Sequence, residues 1–185
     1  RPEGFFFPDT YELPDKPTAV GVIKVTTAQF AKVIEDIDFV NKAKASPAKD
    51  PYTALIMASL VEREASRDED RVKVARVFYN RLADGMPLQS DATVAYANKI
   101  TGRVTTTDAE RQINSPYNTY KVKGLPPGPI TSPAENALEA AVTPAEGNWR
   151  YFVVVNLDTG ETEFNDTFAQ HQVSVKKFQE FCKSS

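Results

Sequence analysis

The chain has 185 residues, with 22 basic and 25 acidic side chains and a formal net charge of −3. That length suits one domain with a sizeable buried core. The mild acidity argues against a nucleic-acid binder, which is normally strongly basic. One cysteine, Cys182, excludes an internal disulfide, and one histidine, His171, beside it argues against a structural zinc site. The longest mostly apolar run, Pro51–Val61, falls well short of the ~20 residues that span a bilayer.

The first segment, Gly4 to Leu13, reads as an extended aromatic stretch broken by Pro8 and Pro14. Thr27 opens an amphipathic helix whose Phe30, Val33, Ile34, Ile37 and Val40 form a core-facing stripe. Residues 42–50 read as a polar linker. Asp50-Pro51 is a cap followed by proline at the first helical position, so a helix runs from Pro51 to about Ala65. It is apolar nearly all round through Val61, which predicts a buried central helix. A third helix spans roughly 69–84, with Val72, Ala75, Phe78 and Leu82 on one face and Gly85 as a left-handed stop.

Residues 86–91 read as a loop, 91–98 as a short helix and 108–112 as another. Residues 115–130 form an irregular, proline-pinned loop. Ser132-Pro133-Ala134-Glu135 has the form of a capping box, which starts a helix over 133–142. Residues 149–156 and 161–165 flank Asp158-Thr159-Gly160 and predict a β-hairpin. The last helix begins near Asp166 or Thr167 and turns Phe168, Val175, Phe178 and Phe181 inward. The pattern is α+β: a central buried helix, further packed helices, short strands and a C-terminal hairpin in one domain.

Glu62 draws attention first. At 100° per residue it lies beside Leu55 and Ala58 on the central helix, while Glu64 falls on a different flank. A carboxyl group among small apolar residues is desolvated, its pKa rises, and it suits a general acid near neutral pH. The competing reading is an ion pair to an arginine such as Arg81. A second candidate is the loop Gln89-Ser90-Asp91. Ser90 or Asp91 has the chemistry of a helix cap, whereas Gln89 is free to bond a substrate. The third is Tyr117-Asn118-Thr119-Tyr120, whose rings and amide suit a sugar, or else fill the edge of a packed loop. No phosphate-binding loop and no nucleophile elbow is present. His171 reads as a surface or supporting residue, and Cys182 as a poor nucleophile.

Several runs together resemble the YceG-like family of endolytic murein transglycosylases. They are Glu3 to Tyr11, Ala58-Ser59-Leu60-Val61-Glu62-Arg63-Glu64, Val77 to Leu82, Gly85 to Asp91, Tyr117 to Tyr120 and Gly124 to Ile130. The resemblance covers nearly the whole chain in the right order. It implies cleavage of the β-1,4 bond between N-acetylmuramic acid and N-acetylglucosamine within glycan strands. The muramyl 6-hydroxyl would close on its own anomeric carbon, leaving a 1,6-anhydro end. On this resemblance the family's catalytic glutamate falls on Glu62, acting as acid and then base. Gln89, Ser90, Asp91, Tyr117, Asn118 and Tyr120 would line the cleft. Arg81 would orient Glu62 or bind a muramyl carboxylate. No cofactor and no metal is implied.

The chain departs from the family where Glu163 stands near a usual histidine, and where Gln170-His171-Gln172 replaces Glu-His-Asn. The resemblance also implies a catalytic domain over 1–185, without the membrane helix and LysM-like subdomain of full-length members. The whole protein would face the wall from the outer side of the bacterial cell membrane, with peptidoglycan strands and peptidoglycan synthases as partners and no nucleic acid. Two other readings are a peptidoglycan-binding or scaffolding module without catalysis, and a muramidase-type hydrolase with Asp91 as its second carboxylate.

Overall fold

Helix packing around one buried segment sets the architecture in a computed structural model, which describes residues 2–65, 67–102 and 105–184. Among these residues the elements run α1 (Ala19–Asp36), α2 (Phe39–Ala45), α3 (Pro51–Glu64), α4 (Asp68–Ala83), α5 (Asp91–Asn98), a 3-10 turn at Glu110–Gln112, α6 (Glu135–Val142), β1 (Tyr151–Asn156), β2 (Glu161–Asn165) and α7 (Phe168–Ser184). The expected α+β class holds. Helix α3 is central, in contact with α2, α4, α5 and α6. Met57, Ala58, Leu60 and Val61 are fully buried in it. Its start is the expected one: the Asp50 carboxylate accepts from the backbone N–H groups of Tyr52 and Thr53, both at 3.0 Å.

The N-terminal helices differ from the expectation. Helix α1 begins at Ala19, capped by Thr18, eight residues before Thr27. Its first turns carry Val20 and Ile23 on the solvent side, so no amphipathic period marks them. Thr27 Oγ1 donates back to the Ile23 carbonyl at 2.7 Å, a bond made inside a helix rather than at its start. The chain then turns at Asp38, which sits in the left-handed region at φ 51°. Val40 is thereby carried out of the stripe and exposed. What reads as a polar linker contains α2, anchored by Phe39 and Ala43 in the core.

Helix α6 begins at Glu135 rather than Pro133, and Ser132 does not cap it. The C-terminal hairpin is as expected: β1 and β2 pair antiparallel, Phe152 opposite Phe164, with a bulge between Val154 and Asn156. The hairpin leans on α4 through Phe152 and Phe78, ring centroids 6.1 Å apart, and α7 packs on it. Helix α7 opens on a reciprocal cap, with the Gln170 side-chain oxygen accepting from the Thr167 N–H at 3.1 Å and Thr167 Oγ1 from the Gln170 N–H at 3.3 Å. Val175, Phe178 and Phe181 are half-buried. Phe168 is exposed, its ring lying against Tyr151 and His171 instead of entering the core.

Candidate active site

Two carboxylates leave the last turn of α3 two residues apart, hence about 200° apart around the helix. They meet opposite environments. The Glu62 carboxylate accepts the backbone N–H of Ala134 at 3.0 Å and lies 3.3 Å from the Arg71 guanidinium on α4. Ala134 is the N-cap of α6. Glu62 thus does from across the molecule what the glutamate of a capping box does locally, and it explains why Ser132-Pro133 is not used. The ion-pair reading of Glu62 is the one realised in kind, with Arg71 rather than Arg81 as partner. Glu62→Ala takes one of two carboxylates from the mostly buried Arg71, which keeps Asp68, and frees a helix-end donor. The expected cost is ~2 kcal/mol, read as a lower midpoint in urea unfolding.

Glu64, the last residue of α3, opens into a cleft of about 330 Å³ lined by Phe78, Arg81, Gln89, Ser90, Asp91, Tyr120, Phe152 and His171 among others. Ser90 Oγ donates to its carboxylate. No cation forms an ion pair with it among the described residues. Burial is the largest influence and pushes the Glu64 carboxyl above its ordinary value. The Asp91 charge pushes the same way, opposed by the bond from Ser90, the backbone N–H of Ala92 and the more distant charge of Arg63. This is the environment that the sequence reading expected for Glu62.

Ser90 tunes the site directly. Its hydroxyl bonds to and stabilises the ionised form of Glu64, so Ser90→Ala raises the Glu64 pKa further. Glu64 is therefore expected to hold its proton to higher pH in Ser90→Ala, read from the pH dependence of its side-chain carboxyl carbon shift, and a shift to lower pH contradicts this role of Ser90.

The loop after α4 is built to hold these groups. Gly85 takes the left-handed conformation that ends α4, as expected. Arg81 then reaches over the loop: Nε donates to the Arg150 carbonyl at 2.6 Å, and Nη1 to those of Leu88 (2.8 Å) and Pro87 (3.3 Å). Its guanidinium also lies over the Tyr151 ring, 5.1 Å from the centroid. Arg81 does not orient Glu62. It pins the cleft wall. Gln89 stands at φ 52°, a strained conformation for a residue with a side chain, held by its N–H to the Thr119 carbonyl at 3.1 Å. Its side chain is exposed at the cleft with no partner.

Asp91 is saturated. It accepts from Tyr120 Oη (2.8 Å), Thr106 Oγ1 (2.5 Å) and Arg111 Nε (3.2 Å), and Arg111 Nη2 completes the pair. Burial and the Asp91 carboxylate push the Tyr120 hydroxyl far up, so it stays protonated as the donor to Asp91. The two other loop residues go elsewhere. Asn118 is fully buried, its amide donating to the Arg111 and Ile113 carbonyls and accepting from the Tyr120 N–H. It shapes the loop and offers nothing to a sugar. Tyr117 lies 4.8 Å from Tyr96, centroid to centroid, in a separate groove. Of the three, only Tyr120 lines the cleft.

His171 lines the cleft as well, contrary to its reading as a supporting surface residue. Its ring stacks on Tyr151 at 5.3 Å, and Nδ1 is buried without a partner. Burial, then the Arg81 charge, pushes the imidazole pKa down. A proton on partnerless Nδ1 would be costly. Both effects favour the neutral ring, with its hydrogen on Nε2 rather than on Nδ1. The sequence departures noted nearby have other uses: Glu163 pairs with Lys177 on α7, and Gln170 caps that helix.

These features define a class of protein, mainly helical, in which an enclosed carboxyl group with no counter-ion among the described residues faces a polar cleft. The chain belongs to the YceG-like family, whose model matches residues 1–177. It is 41% identical over 179 residues to an endolytic murein transglycosylase of Bacillus subtilis and 34% identical to one of Streptococcus pneumoniae. These alignments cover 95% of this chain but 48% and 32% of those proteins, so the chain spans under half of either. A solved yceG-like protein from Listeria monocytogenes superposes with a TM-score of 0.83 at 36% identity, covering 93% of this chain and 55% of that one.

Proposed function

We propose that this chain carries the catalytic site of an endolytic murein lytic transglycosylase, with Glu64 rather than Glu62 as general acid and base. The observation that carries this reading is the enclosure of Glu64 in the cleft with no counter-ion among the described residues. Glu62 is committed to Arg71 and the start of α6.

The neutral Glu64 carboxyl gives its proton to the oxygen linking C1 of N-acetylmuramic acid to the next sugar. The C1–O bond breaks and positive charge gathers at C1. The Glu64 carboxylate then accepts the proton of the muramyl 6-hydroxyl as that oxygen bonds to C1, closing the 1,6-anhydro ring. The proton count balances without water, and Glu64 ends as it began. Ser90 fixes the carboxylate between the two steps. Gln89, the Tyr120 oxygen and the Nε2–H of neutral His171 offer hydrogen bonds to acetamido and hydroxyl groups. Phe78 and Phe152 give the cleft an apolar side.

A muramidase-type hydrolase would need a second carboxylate free to act at C1 or on water. Asp91 is the near one, and its oxygens are already taken by Tyr120, Thr106 and Arg111. A binding module would have no use for a desolvated acid. With this substrate, the whole protein works at the outer face of the cytoplasmic membrane, beside the peptidoglycan synthases. No helix among the described residues is long and apolar enough to cross a membrane.

The test is digestion of purified glycan strands followed by mass analysis. Products one water lighter than hydrolysis products support the transglycosylase. Reducing muramyl ends contradict it, and strand binding without cleavage favours the scaffolding module.

A further inference from the structure

A second groove, larger than the cleft, is bordered by some of the same segments. It measures about 720 Å³ and is lined by Arg63, Ala92, Ala95, Tyr96, Lys99 and Ser115 among others, a size suited to an extended organic ligand. Groove and cleft draw on adjacent residues of the chain at two places. Arg63 lines the groove and Glu64 the cleft; Ala92 lines the groove and Asp91 the cleft. Consecutive Cα atoms are ~3.8 Å apart. Residues facing a ligand at Glu64 and residues facing the groove are therefore direct neighbours in the chain.

Arg63 and Lys99 are exposed in the groove, and neither has an ion-pair partner among the described residues. Lys99 is the C-cap of α5, in the left-handed conformation at φ 57°. The alanines of α5 and the Tyr96 ring give an apolar floor between the two cations. The one acidic group facing them is Glu3, whose carboxylate lies 3.5 Å from the Tyr96 hydroxyl. Two free cations across an apolar floor suit a ligand with separated carboxylates, and Glu3 suits an amine on the same ligand.

We propose that this groove binds the peptide stem carried by the glycan, taking its carboxylates on Arg63 and Lys99 while the sugar lies in the cleft. The proposal rests on the murein reading of the site. It makes the chain a reader of peptide substitution: strands bearing stems are bound at two places, stripped strands at one.

The test compares strands with intact stems against the same strands stripped by an amidase, using this chain, the double variant Arg63→Gln/Lys99→Gln, and Lys99→Glu. Released stem peptide is titrated into each by amide chemical shift. The parent is expected to cleave stem-bearing strands about tenfold faster in kcat/KM. The double variant brings that ratio to about one, and Lys99→Glu takes it lower still. Because the readout is a ratio, any effect of Arg63 on Glu64 cancels. Stem peptide is expected to shift the amides of Ala92, Ala95 and Lys99 in the parent alone. A parent ratio near one, or a ratio unmoved in the double variant, overturns the proposal. So does the absence of peptide-induced shifts where strands are cleaved. Peptide binding lost in the double variant, in a chain that cleaves neither strand, upholds the groove and sinks the transglycosylase reading.

Discussion

Glu64→Gln is expected to reduce strand cleavage by about 10²–10⁴-fold, the range for removing a general acid and base, while making the chain more stable at neutral pH. Burial raises the folded-state pKa of Glu64 above its ordinary value of 4.5. The folded chain then holds a proton that the unfolded chain has released. Stability linked to that proton is full below about 4.5 and is lost as pH rises through the raised pKa. Glutamine keeps the acceptor for Ser90 and never ionises, so it escapes the loss. The expected gain is ~1 kcal/mol, or about 2–4 °C in Tm for a chain of this length, at pH 8. At pH 4 the difference vanishes. Thermal scans at the two pH values check the sign, and a variant less stable at pH 8 would show that the carboxylate is not strained there.

Arg81→Ala has the largest expected effect on the fold of the site. The guanidinium bonds three backbone carbonyls, from β1's approach and from the loop that carries Gln89 and Ser90. Its removal leaves those acceptors unpaired in a buried place. The cost is about 3 kcal/mol, or roughly 6–12 °C in Tm, and cleavage falls because the loop no longer holds Ser90 against Glu64. Arg81→Lys restores little, since a single ammonium cannot reach in the two directions that Nε and Nη1 serve. Calorimetry together with strand digestion separates this from Glu64→Gln. One variant loses stability and activity together, whereas the other gains stability as it loses activity.

Much of the helical plan is legible in the sequence because local signals and tertiary packing agree there. Asp50-Pro51 starts α3, Gly85 ends α4, and Asp158-Thr159-Gly160 turns the hairpin. Helices α1 and α2 hide for opposite reasons. The first turns of α1 expose Val20 and Ile23, and α2 buries only one face of a polar segment. The resemblance points to the segment that carries both glutamates and to Glu62 within it, whereas the acid proposed here is Glu64, two residues on. Helix geometry separates Glu62 from Glu64, yet it cannot say which side of α3 is covered. Coverage by α4 and α6 supplies Arg71 and the Ala134 N–H to Glu62. The side left open becomes the cleft, and that is a fact of assembly.

The loop Tyr117-Asn118-Thr119-Tyr120 teaches the same lesson. Four adjacent residues serve a groove, a buried turn, a tie to Ser90 and Thr93, and the cleft. Residue type predicts which of them can bind a sugar; only the fold decides which of them is free to. His171 escapes sequence reasoning because its function depends on Tyr151 and Arg81, far from it in the chain. The one local signal was its rarity.

The most direct test of the central claim is a comparison of Glu62→Gln and Glu64→Gln on the same glycan strands, with anhydro ends counted by mass analysis and unfolding followed in parallel. The account predicts that Glu64→Gln abolishes anhydro ends in a chain at least as stable as the parent. It predicts that Glu62→Gln retains them in a chain that unfolds more easily. Loss of anhydro ends in Glu62→Gln with its stability intact, and their persistence in Glu64→Gln, would contradict it.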